Sequence, residues 1–242
     1  MTRLLVSVRD EAEARAAACA GADFIDAKDP AAGAMGGLAP ERIAAIRRML
    51  RAVAPALQVS ATIGDVDAGC GGEILARVAA VAACGVDFVK VGVAGDDRAP
   101  AAAAALLHAL AACRAPVVPV LLADAGIDPA LVAAALRPQA FPALMLDTAD
   151  KGAGSLVQRM PHAALAAFVA QVRASGRLAG LAGSLRLEDA PALRALAPDF
   201  AGFRGAVCAE GRAGALDAGR VSALARGLAG GVGQEELLRA EA

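Results

Sequence analysis

Tryptophan and tyrosine are absent from the 242 residues, and only six phenylalanines occur. The base-stacking platforms that hold single-stranded nucleic acid need such rings, so a role of that kind is not expected. A net charge of −1 removes the basic footprint of a nucleic-acid surface as well. The five cysteines, at 19, 70, 84, 113 and 208, are odd in number and form no CxxC pair. Neither a zinc site nor a disulfide framework is indicated, and most are expected to be small buried apolar residues. Both histidines, His108 and His162, fall in helix-like segments, which argues against a histidine-based metal site and against a Ser-His-Asp triad. No metal and no organic cofactor is expected. Hydrophobic residues make up 57% of the chain, yet no apolar run reaches the ~18 residues of a membrane span without glycine or charge inside it. The N-terminal Met1-Thr2-Arg3-Leu4-Leu5-Val6-Ser7 lacks a signal-peptide pattern. The expectation is a soluble, cytoplasmic protein.

Lysine is the most informative scarcity. Lysine and arginine total 24, and only Lys28, Lys90 and Lys151 are lysine. In a chain rich in Ala, Gly and Arg, the surviving lysines are candidates for chemistry that arginine cannot do. A lysine can lose its proton, form an imine or act as a base, whereas arginine stays protonated. Chance survival at surface sites is the alternative.

Short aliphatic runs recur every 25–35 residues or so, with alanine-rich helical patterns between them. Strands are expected at Leu4–Val8, Phe24–Ala27, Gln58–Thr62, Phe88–Gly92, Val117–Leu122, Leu144–Asp147, Leu178–Ala182 and Ala201–Arg204. Helices are expected over Glu11–Ala20, Glu41–Val53, Glu73–Cys84, Ala99–Arg114, Asp128–Leu136, Pro161–Ser175, Leu187–Leu196 and Asp217–Leu228. Continuous apolar character fits strands buried on both faces of a parallel sheet. At this length, close to the ~250 residues usual for the fold, the pattern predicts one (β/α)₈ barrel over residues 1–228. Residues 229–242 would form a charged tail, mobile or partner-contacting. A repeated phrase supports the register: Cys19-Ala20-Gly21-Ala22-Asp23-Phe24-Ile25 and Ala83-Cys84-Gly85-Val86-Asp87-Phe88-Val89. Each reads as helix end, glycine stop, aspartate and strand, and each strand then delivers a lysine.

Reactive groups of such a barrel sit at the C-terminal ends of its strands. Asp26 and Lys28 end the second strand and, two apart, share a face. Lys90 ends the fourth, Asp147 the sixth, and Lys151 lies in the loop beyond; Asp124 follows the fifth. All three lysines thus meet at one rim. Bringing a lysine pKa from ~10.4 to ~7 takes about 4–5 kcal/mol, and burial with a second ammonium nearby pushes in that direction. Asp26 and Asp147 read as orienting groups or proton relays. The plainer reading is ordinary ion pairing of Asp26 with Lys28 and of Asp147 with Lys151. Phosphate signals follow strand seven (Gly183, Ser184) and strand eight (Arg204, Gly205, Ala206), the loops that often bind phosphate in this fold. Arg204 is expected to pair with the oxyanion. The long loops Asp29–Ala39 and Gly64–Gly72, the latter carrying Asp65 and Asp67, read as lids or as connectors.

At this point a family comes into view. The segment Gly21-Ala22-Asp23-Phe24-Ile25-Asp26-Ala27-Lys28-Asp29-Pro30, with Leu4–Val8 and Gly33–Gly36, resembles the start of the (5-formylfuran-3-yl)methyl phosphate synthases of methanofuran biosynthesis. These enzymes are also called 4-(hydroxymethyl)-2-furancarboxaldehyde-phosphate synthases. The resemblance continues through Asp87–Gly92, Met145-Leu146-Asp147-Thr148-Ala149-Asp150-Lys151-Gly152 and Leu181–Leu185. Departures lie in the alanine-rich helices and the tail. The resemblance implies a (β/α)₈ lyase that condenses two glyceraldehyde 3-phosphates with loss of one phosphate and two waters. It casts Lys28 as the Schiff-base lysine, Lys90 as general acid/base, and Asp26, Asp147 and Lys151 as assisting groups. In this scheme the enamine left by phosphate loss attacks the second aldehyde. The partners implied are small sugar phosphates, with a homo-oligomer expected from the many apolar surface alanines. Another Schiff-base aldolase or sugar-phosphate lyase, and a non-catalytic barrel that binds a sugar phosphate, are the competing readings.

Overall fold

In the computed structural model, which describes residues 1–67, 69–94, 100–137 and 139–230, eight parallel strands close into a barrel in sequence order. The strands are β1 (Arg3–Val8), β2 (Phe24–Ala27), β3 (Gln58–Thr62), β4 (Phe88–Ala94), β5 (Val117–Leu122), β6 (Ala143–Asp147), β7 (Leu178–Leu181) and β8 (Phe200–Phe203). The helices are α1 (Glu11–Cys19), α2 (Pro40–Val53), α3 (Gly71–Ala83), α4 (Pro100–Ala111), α5 (Pro129–Leu136), α6 (Leu156–Arg159), α7 (His162–Ala174), α8 (Ala190–Leu196) and α9 (Ala218–Ala229). The single barrel foreseen in the sequence is thus the architecture. No described helix is long and apolar enough to cross a membrane. Most of the expected tail, residues 231–242, lies outside the described residues.

Local chemistry sets the helix ends. The Asp10 side chain accepts from Glu13 N at the start of α1, Asp128 caps α5 with Pro129 behind it, and Asp217 accepts from Gly219 N and Arg220 N at α9. Each supplies an acceptor to an otherwise unpaired first-turn N–H. At the end of α4 the expected helix runs too far. Bonds from Ala112 N to Ala109 O and from Cys113 N to Leu110 O tighten the last turn ahead of Pro116, and the helix stops at Ala111. The cysteines also depart from expectation. Only Cys208 is buried; Cys19 and Cys70 are exposed and the other two are half-buried, because four of the five sit at or beside helix ends rather than on core faces.

Strand alternation fills the barrel in layers, as this fold requires. On the even-numbered strands, Phe24, Phe88, Ala143 and Phe200 form the lowest layer. Asp26, Lys90, Met145 and Gly202 come next, with Lys28, Gly92 and Asp147 above. The bottom is an apolar plug. The Phe24 and Phe200 rings lie 5.7 Å apart between centroids, the Arg3 guanidinium stands 4.6 Å from the Phe24 ring centroid, and Gly180 leaves the space that the Phe200 ring occupies. Apart from Arg3 at the base, the charged side chains named in these layers stand from the middle of the barrel upward.

Candidate active site

Asp26 is the deepest charged group. It is 1% exposed and receives Lys90 Nζ at 3.1 Å, Ser60 Oγ at 2.6 Å and Ser7 Oγ at 3.2 Å. Burial pushes its carboxyl up, but the ammonium groups of Lys90 and Lys28 and the Ser60 hydroxyl outweigh that push, and its pKa lies below the ordinary carboxylate value. Taking two ions out of water costs several kcal/mol apiece before their attraction repays it, so a pair this deep is weak evidence for stability. One layer higher, Lys28 Nζ lies 3.9 Å from Asp147 Oδ2 and Lys151 Nζ lies 2.5 Å from Asp147 Oδ1. Lys151 also donates to the Thr148 carbonyl. Burial pulls the Lys28 pKa down to about 8, against the Asp147 carboxylate and with added push from the Lys151 ammonium.

The plainer sequence reading holds for Asp147 with Lys151 but not for Asp26 with Lys28. Asp26 serves Lys90 rather than Lys28, and Asp147 is shared by Lys28 and Lys151. The layers explain it, since Asp26 and Lys90 occupy one level and Lys28 and Asp147 the next. All five groups open onto one cavity of about 810 Å³, which Gly183, Ser184, Gly205 and Ala206 also line. Gly183 at φ 112° and Ser184 at φ 46° turn the backbone after β7. Among the described residues the N–H groups of Ser184, Gly205 and Ala206 donate to no protein acceptor, as an oxyanion nest requires. Ser184 Oγ donates to the Lys151 carbonyl at 2.8 Å, tying this loop to the lysine.

Arg204 departs from its expected role. Its five N–H donors go to Arg212 O, Ser7 O, both Glu13 carboxylate oxygens and Gly214 O. With none left for an oxyanion, it is a strut joining β8, α1 and the following loop. Asp124 acquires a definite place. It accepts from Ala149 N at 2.6 Å, Asp150 N at 2.9 Å and Arg159 Nη1 at 2.9 Å, clamping the loop that carries Lys151. Burial raises its pKa, but these donors outweigh that and hold it below the usual range. The loop after β2 is tied to β3 and to the loop beyond it. Met35 N donates to Asp65 Oδ1 at 3.0 Å, Thr62 Oγ1 donates to Gly36 O at 2.7 Å, and the buried Met35 side chain fills the space above Gly92.

Sequence reasoning passed over Ser7, Ser60 and Met35. The strand period carried a signal for the two serines, which face inward beside Asp26 in the strand register.

Fold and site together place the chain among (β/α)₈ barrels that keep amines and carboxylates buried at the C-terminal mouth. Solved barrels agree on the fold. They include phosphoribosylanthranilate isomerase from Thermus thermophilus (TM-score 0.65, 19% identity, covering 95% of this chain and 99% of that one). Another is 3-hexulose-6-phosphate synthase from Salmonella typhimurium (TM-score 0.62, 18% identity, covering 96% and 100%). The chain belongs to the 4-HFC-P synthase family, whose profile matches residues 4–225. It is 46% identical over 224 residues to a Methylorubrum extorquens protein provisionally assigned as (5-formylfuran-3-yl)methyl phosphate synthase, covering 91% of this chain and 89% of that one. It is 37% identical over 218 residues to the (5-formylfuran-3-yl)methyl phosphate synthase of Methanocaldococcus jannaschii, covering 86% and 91%.

Proposed function

We propose that this protein condenses two molecules of glyceraldehyde 3-phosphate into (5-formylfuran-3-yl)methyl phosphate through an imine on Lys28, serving methanofuran biosynthesis. The observation that carries the reading is the buried Lys28 amine, with a pKa of about 8, in one cavity with Lys90, Asp26, Asp147 and Lys151. A barrel that only binds a sugar phosphate has no use for an amine so readily deprotonated.

The neutral Lys28 amine adds to C1 of one triose and water leaves, giving the imine. Its protonated form is an electron sink that acidifies C2–H. In this reading the neutral form of Lys90, hydrogen-bonded to Asp26, takes that proton as general base. Phosphate then departs from C3 with the bonding pair, leaving the enol of a three-carbon dicarbonyl still attached to Lys28. The next bond is fixed by the product. In a 5-formylfuran-3-yl skeleton the carbon that lost phosphate joins C2 of the second triose, not C1. Attack on the second aldehyde, as the sequence reading had it, would give a linear six-carbon chain. The second triose must react at C2, and as nucleophile or as ketone that carbon becomes reactive through its C1–C2 enediol. The same acid–base pair can supply it. Ring closure expels two waters, and hydrolysis of the imine returns the water lost when it formed.

Purified protein given glyceraldehyde 3-phosphate alone is expected to release one inorganic phosphate per furan formed. Borohydride should trap the substrate on Lys28, and Lys28→Arg should abolish the adduct while keeping the fold. A retro-aldol product without phosphate release would instead assign a different Schiff-base lyase to this site.

A further inference from the structure

The nest at Gly183, Ser184, Gly205 and Ala206 offers N–H groups to an anion, but the three lysines of the cavity are already paired with Asp26 and Asp147, so a phosphate dianion there calls for a cation of its own. Arg204 has no donor to give. Another arginine stands closer to the nest than the sequence suggested. Arg212 lies in the loop between β8 and α9 and lines the same cavity. A Cβ at Gly205 would lie 3.7 Å from the Arg212 backbone nitrogen and 3.9 Å from its Cβ, so the Arg212 backbone passes beside the nest.

The loop that carries Arg212 is held rather than loose. Arg204 Nε donates to Arg212 O at 2.9 Å, Arg204 Nη2 to Gly214 O at 2.9 Å and Arg9 Nη1 to Ala213 O at 2.7 Å. Ala209 N donates to Ala215 O at 3.1 Å across its base. The Arg212 guanidinium makes one bond among the described residues, Nη2 to Gly33 O at 3.0 Å. Its other donors remain for a ligand. Gly33 belongs to the loop that leaves β2 directly after Lys28. Arg186, Arg220 and Arg226 also line the cavity, but all three are exposed, and Arg186 pairs with Glu188 at 3.3 Å.

We infer that Arg212 is the guanidinium that grips the substrate phosphate at the β7–β8 nest, and that its bond to the Gly33 carbonyl ties that grip to the loop following Lys28. The fixed fork of arginine suits a phosphate, making two parallel charge-assisted bonds where lysine offers a point charge. The inference rests on the reading that the substrates are phosphorylated trioses, and it adds the residue that recognises the phosphoryl group.

Two probes with the full chain test it. In borohydride trapping on Lys28, Arg212→Gln should raise the half-saturating concentration of glyceraldehyde 3-phosphate about tenfold or more. That for unphosphorylated glyceraldehyde should stay unchanged. Arg212→Lys should fall between, and Arg15→Gln, which removes a charge from exposed α1, should move neither. Unchanged trapping of the phosphorylated aldehyde by Arg212→Gln would overturn the inference, and so would an equal loss for both aldehydes. If the wild type traps neither aldehyde, the imine reading fails on its own. Calorimetric titration with inorganic phosphate still decides the role of Arg212, since the glutamine variant should bind it about tenfold more weakly. Equal phosphate binding by variant and wild type would overturn it.

Discussion

Lys28 sits where solvation and reactivity pull against each other. An amine with a folded pKa of about 8 and an ordinary value near 10.4 binds fewer protons folded than unfolded between those pH values. Stability therefore rises with pH across that window, and below pH 8 the buried ammonium costs the fold up to about 3 kcal/mol. Lys28→Met removes the charge at similar length, and Asp147 keeps Lys151 as its partner. Denaturant unfolding at pH 7 should show the methionine variant more stable by about 1–3 kcal/mol, with the gain shrinking as pH climbs past 8. A variant less stable than wild type at pH 7 would mean that the Lys28–Asp147 contact outweighs the desolvation. At this scale the candidate site was legible: lysines surviving in an arginine-rich chain marked Lys28, Lys90 and Lys151. Arg204 was not legible, since its position at the end of a strand suits an oxyanion ligand. Its partner Glu13, 191 residues away in sequence, carries no local signal.

Elements position what residues react. The loop after β6 holds Lys151 against Asp147, and Asp124 from the end of β5 fastens that loop at two successive backbone N–H groups while α6 contributes Arg159. With the clamp cut, the Lys151 ammonium would stray from Asp147, and the push it exerts on Lys28 would weaken. Asp124→Ala should therefore move the pH midpoint of borohydride trapping upward. Turnover should fall on the order of tenfold to a hundredfold, the usual scale for a displaced catalytic group. Asp124→Asn keeps one acceptor and should recover part of both. An unchanged midpoint with reduced turnover would restrict Asp124 to loop packing. The long elements were legible because an aliphatic run between glycine stops has few other fates. The four-residue α6 was missed, although Ser155 and Gln158 form a capping box at its start and that spacing stood in the sequence. So short a helix exists only because tertiary contacts hold it.

Across the whole molecule the barrel divides its labour by height. Phenylalanine and aliphatic layers close the N-terminal end, and every buried amine and carboxylate of the proposed chemistry lies in the upper half. That division has a mechanical consequence. Close-packed interiors transmit a misfit to their neighbours but not without limit. A Cβ at Gly180 would stand 2.3 Å from the Phe200 ring, a clash with a rigid group that cannot swing aside. Gly180→Ala should therefore lower stability by about 1–3 kcal/mol through overpacking. The layer of Asp26, Lys90, Met145 and Gly202 intervenes between the plug and Lys28. The folded fraction of this variant should trap glyceraldehyde 3-phosphate on Lys28 with unaltered half-saturation and pH midpoint. Unfolding curves and trapping on the same preparation separate the two effects. A pH midpoint displaced by the alanine would mean that strain at the bottom reaches the charged layers, and that plug and mouth form one mechanical unit rather than two.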